Sequence, residues 1–172
     1  MLIKNNKENE KLALAILKQY SCRYSALILR ERPDLQDIDN SFGVEVSSNR
    51  PEEIWRGLAK GERILNNSFN FKIVPYTIKE TLDIIDAKSK KSYPGFFHIE
   101  LFIYVDEIEY YDDHIKAIIS DCSNRIEFKY QRLFLFSLAT NVLWDCDIKS
   151  TSFSQKRFSS EEWDIIKRLS EN

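Results

Sequence analysis

The chain is poor in the residues that punctuate or staple a fold. Four glycines and four prolines in 172 residues exclude a collagen-like or linker-like chain. Cys22, Cys122 and Cys146 are odd in number and widely spaced, and no CxxC pair occurs, so neither a zinc cage nor a disulfide framework is expected. They read as reduced thiols, as in a cytoplasmic protein. The two histidines, His98 and His114, do not form a ligand pair. No apolar run approaches the ~20 residues of a membrane span, and the start, Met-Leu-Ile-Lys, turns polar too soon for a signal peptide. There is no surplus of one charge: 25 basic against 27 acidic side chains exclude a histone-like binder of nucleic acid, though not a local basic groove. Glycine-rich phosphate loops, G-x-S-x-G and H-E-x-x-H are all missing, which leaves P-loop hydrolysis and those hydrolase classes without support.

The sequence is rich in apolar residues, at 43%, and a chain of this length buries roughly 70% of its unfolded surface. One domain over 1–172 is expected. Leu12 to Leu17 favour a helix over about 7–20, apolar nearly all round and therefore buried. Glu10 lies on the face of Leu14 and Leu17. Residues 24–31 read as a strand. Residues 34–38 and 42–47 read as a hairpin turned by Asp39-Asn40-Ser41, with Gly43, Glu45 and Ser47 on one face. A helix from Pro51 to about 66 and a strand over 71–76 follow, then a helix of about 78–90 opened by Thr77 and Glu80. Phe97, Ile99, Leu101, Ile103 and Val105 form one apolar face of a strand over 96–105, with His98 and Glu100 on the other. A short helix near 112–121, a strand near 126–136 and a last helix complete the order. That helix is capped by Ser159 and Glu162 and striped by Trp163, Ile166 and Leu169. Such alternation predicts an α/β fold, a mixed sheet flanked by helices.

Chemistry concentrates at Pro33-Asp34 and at Gly43-Val44-Glu45-Val46-Ser47. Opposed residues on antiparallel strands lie ~5 Å apart, so Asp34 and Glu45 could converge. Two carboxylates ~4 Å apart repel by about 4 kcal/mol at an effective dielectric of 20. A hard divalent cation removes that penalty and can activate a water against a phosphodiester. Each acid also has a plain structural reading. Asp34 after proline forms turns, Glu45 could face solvent, and Glu10 suits the positive end of a helix dipole.

These residues resemble the PD-(D/E)XK nuclease superfamily, whose pattern is Pro-Asp, a spacer, then an acid, one residue and lysine. The resemblance runs over about residues 7–76, the candidate nuclease core, with 77–172 as sheet extension and C-terminal helix. It implies a restriction-endonuclease-like fold and phosphodiester hydrolysis in nucleic acid with Mg²⁺ or Mn²⁺. It makes Asp34 and Glu45 the metal carboxylates, with Glu10 joining them in catalysis. Ser47 stands where the family has its lysine, and a hydroxyl carries no charge. Either a basic residue elsewhere substitutes, with Arg56 and Lys60 as candidates, or the chain is an inactive nuclease-like module that binds a partner.

Overall fold

The computed structural model describes residues 3–48, 78–105, 112–125 and 128–172. The first helix, α1 (Ile3–Tyr20), buries Leu12, Ala13, Ala15, Ile16 and Leu17, as its nearly all-round apolar sequence predicts. The strand expected over 24–31 is mostly replaced by a tight turn. Ser21 caps a 3₁₀ turn at Cys22–Tyr24, accepting from the Arg23 N–H, and only β1 (Ile28–Leu29) remains extended. Local side-chain-to-backbone bonding of this kind competes with ladder formation.

The hairpin follows as β2 (Leu35–Gln36) and β3 (Phe42–Ser48), paired antiparallel with Leu35 opposite Val44 and Gln36 opposite Gly43. Asp37 organises its turn, accepting from the Ser41 N–H and hydroxyl and from the Phe42 N–H. Asn40 takes a positive φ of 56°, a conformation asparagine tolerates.

A parallel neighbour for β3 requires a long crossover. That neighbour is β4 (His98–Val105), and the crossover carries α2 (Ile78–Ser89). The helix and strand expected over 51–76 lie outside the described residues. Beyond β4 come α3 (Asp112–Asn124), β5 (Arg132–Ser137) parallel to β4, then β6 (Val142–Asp147) and β7 (Ser152–Arg157) as antiparallel additions. The last helix, α4 (Ser160–Glu171), begins with the expected capping box between Ser159 and Glu162.

The described strands form one mixed sheet in the order β1 to β7, each beside its sequence neighbour. One face packs Val44, Val46, Phe102, Tyr104, Phe134 and Phe136 against α1 and α4. The other packs Ile99, Leu101, Ile103, Leu133 and Leu135 against α2 and α3. Full burial of one such side chain stabilises by about 1.5–3 kcal/mol. The apolar face of β4 starts later than expected. Phe97 precedes the strand and is 91% exposed, whereas Ile99, Leu101, Ile103 and Val105 are buried. On α4 Ile166 is buried and Trp163 packs against the core beside Phe136, whereas Leu169 is half exposed.

Candidate functional site

Pro33 and Gly43 fix the local geometry. The Pro33 ring occupies the space where a Cβ on residue 43 would sit, so only glycine lets the two strands close here. One step along the hairpin register from Leu35 and Val44, Asp34 stands opposite Glu45. Asp34 Oδ2 accepts the Val46 N–H at 2.8 Å, which ties its carboxylate to β3.

Glu45 is only 1% exposed. Its Oε1 accepts from Lys88 Nζ at 2.7 Å and from Lys91 Nζ at 2.5 Å. Lys88 is in the last turn of α2 and Lys91 just beyond it, three residues apart and so on one side of the helix end. Burial alone would raise the Glu45 pKa, but the two ammonium groups outweigh it and hold the carboxyl below its ordinary value. Glu45 is therefore ionised at neutral pH.

The neighbouring acids behave oppositely. Burial first, and then the charge of Glu45, lifts Asp34 to about 6 despite the bond from Val46. Burial and the charge of Asp34 lift Glu10, on α1, to about 7. The three acids expected from sequence thus share one electrostatic environment. Their degree of convergence differs: Asp34 and Glu45 are register partners, whereas Glu10 acts on them through the field. Among the described residues no group of three or more His, Cys, Asp or Glu side chains could hold a metal ion.

Two phenols close the site. The Tyr93 and Tyr130 hydroxyls are 3.2 Å apart, and Tyr130 donates to the Lys88 carbonyl at 2.7 Å. Burial, the bond to Tyr130 and the nearby Glu45 charge push the Tyr93 pKa far up, so it stays a neutral donor.

Sequence reasoning missed Lys88, Lys91 and Tyr93. They lie 43, 46 and 48 residues beyond Glu45, and their only signal is a lysine cluster, Lys88-Ser89-Lys90-Lys91, ending a predicted helix. Arg56 and Lys60 fall outside the described residues. Ser47 is half-buried and supplies no charge.

His98 and Glu100 share the opposite sheet face, as the strand alternation predicts. Glu100 is fully buried and accepts from Arg23 at 2.9 Å and from the Tyr24 hydroxyl at 3.0 Å, with His98 Nε2 at 2.9 Å.

No family model, curated protein or solved structure matches the chain. The chemistry of the site therefore stands on its own residues. An ionised carboxylate, two acids titrating near neutrality and two ammonium groups can bind an anion beside a hard cation and move a proton near pH 7.

Proposed function

We propose that the chain is a metal-dependent nuclease built on a restriction-endonuclease-like core, hydrolysing phosphodiester bonds with Asp34, Glu45 and Glu10. The observation that carries this reading is the pair Lys88 and Lys91 on Glu45, which supplies from α2 the positive charge that Ser47 cannot. The order of α1, the β1–β2–β3 meander, α2 and a parallel β4 supports a core of this element order, whose parallel strand lies at 98–105, beyond the 7–76 expected for the core.

The donor set fits Mg²⁺ or Mn²⁺: carboxylate oxygens only, with no thiol or imidazole, in a cluster where burial first and neighbouring negative charge second raise Asp34 and Glu10. Asp34 and Glu45 would hold the ion, whose Lewis acidity would offset charge on the phosphate. Lys88 would stabilise the negative charge that develops during displacement, where a fixed ammonium in a water-poor site counts most. Glu10, with its pKa about 7, would accept a proton from the attacking water.

A second reading has one observation in its favour. With Lys88 and Lys91 on the same oxygen, Glu45 is already neutralised, as a binding module that lost its chemistry would require.

The two separate in a cutting assay on plasmid, single-stranded DNA and RNA. Cleavage should require Mg²⁺ or Mn²⁺, disappear in Asp34→Ala and Glu45→Ala, and fall roughly 10²-fold in Lys88→Ala. No cutting with either metal, together with calorimetric binding of a nucleic acid or protein, would establish the module. Undiminished cutting by both acid variants would remove the site assignment.

A further inference from the structure

Beside the acid cluster lies a cavity of about 180 Å³ lined by Tyr93, Phe96, Phe97, Ile99 and Lys129. Tyr93 joins the two places. Its hydroxyl is bonded to Tyr130 and interacts with Glu45, while its ring walls the cavity. Lys129 Nζ sits 5.3 Å from the centre of that ring. Phe97 stands at the rim, 91% exposed, and its backbone is pinned: the Phe97 N–H donates to the Ser41 carbonyl at 3.1 Å. A rigidly based aromatic ring held in water, at the mouth of an aromatic cavity with a cation on its wall, is a stacking platform next to a phosphate-compatible charge.

We propose that this cavity takes an unpaired nucleobase of a single-stranded nucleic acid whose phosphodiester lies at Asp34 and Glu45. This rests on the nuclease reading and adds the class of substrate. Tyr93 reaches both the Glu45 carboxylate and the cavity, so the two places are neighbours. A base in a duplex keeps its faces against its neighbours and cannot enter, so the site selects strands whose bases are free to splay. Lys129 favours the occupant by attracting its backbone as well as by lying over Tyr93.

The test is fluorescence anisotropy with labelled oligothymidine and a matching duplex, in EDTA at low ionic strength, beside the metal-dependent cutting assay on the same strands. Wild type should bind the single strand more tightly than the duplex. Phe97→Ala should weaken single-strand binding roughly tenfold and leave duplex binding unchanged, and Phe97→Trp should restore it. Phe97 is exposed, so the fold survives the change. Equal loss for both strands, or wild-type affinity in Phe97→Ala, overturns the base site. In that case the nuclease reading stands if the metal-dependent cutting persists. If wild type neither binds nor cuts any strand, both readings fall together.

Discussion

Two buried glutamates sit on neighbouring strands, one register step apart, and do opposite things. Glu100 pairs across β3–β4 with Val44, and Glu45 pairs with Leu101, so the two carboxylates leave the sheet on opposite faces. Both are almost without exposure. Around Glu100 the donors suffice: Arg23 and Tyr24 donate to one acid, with His98 Nε2 at 2.9 Å. Around Glu45 the lysines are joined by two further acids, and these carry the strain as pKa values of about 6 at Asp34 and about 7 at Glu10. Burial of a carboxylate therefore does not mark a site. A cluster of buried acids that outnumber their cations is the better candidate, because burial and like charge together hold two of them near neutrality.

Stability should separate the two glutamates most. Glu100→Ala leaves the buried Tyr24 hydroxyl without its acceptor and should cost about 1–3 kcal/mol, whereas the Arg23 guanidinium is 44% exposed and reaches water. Glu45→Ala should cost less. It strands Lys88 and Lys91, but these are 19% and 38% exposed and reach water, and it relieves Asp34 and Glu10 of repulsion. Urea unfolding at pH 7 measures both. A larger loss for Glu45→Ala would mean that the lysines hold the fold together and that the two clusters are alike.

The next contrast is in pH. Asp34 and Glu10 have folded pKa values above those of the unfolded chain, so between about pH 4 and 7 the folded state binds more protons. Stability from this source is fully present below pH 4 and is lost as pH rises through 6 and 7. Asp34→Asn and Glu10→Gln remove that loss. Asp34→Asn should be more stable than wild type by about 1 kcal/mol at pH 8 and show no advantage near pH 4. Thermal melts across that range would expose an error in the charge argument if the advantage were constant with pH. Divalent metal affinity should fall in the same window, as protons compete for Asp34 and Glu10.

Much of this pair of clusters is legible along the chain, and the limits are physical. Period-2 alternation and one turn, both local rules, place Glu45 and Asp34 together. His98 and Glu100 share a face for the same reason. Gly43 enters as part of a motif, whereas its cause is the Pro33 ring lying over it. Lys88 and Lys91 depend on how the crossover returns α2 to the sheet, which no local pattern states. β6 and β7 escape a reading of the sequence because their signal is mixed. Asp145 interrupts the apolar run of β6 and is buried only because Arg132 and Tyr20 bond it, and β7 is a polar edge strand. Phe97 is expected inside because alternation continues one residue past the point where the ladder begins.

The smallest effect belongs to Ser47, and it tests where the positive charge comes from. Ser47 follows Glu45 by two on β3, so it shares the sheet face with the acids, and it pairs with Ile103. Its hydroxyl is half-buried and uncharged, so Ser47→Ala should shift stability by no more than about 0.5 kcal/mol and leave cutting near wild type. Ser47→Lys is the sharper variant. With Lys88 and Lys91 already on Glu45, a third ammonium group adds repulsion among cations and should bring no gain in rate. In a Lys88→Ala background the same substitution should recover part of the lost activity, since the charge then returns from the strand instead of the helix. A gain from Ser47→Lys in the otherwise wild-type chain would show that the α2 lysines serve only to neutralise Glu45, and the comparison between the two glutamates would collapse into two structural ion clusters.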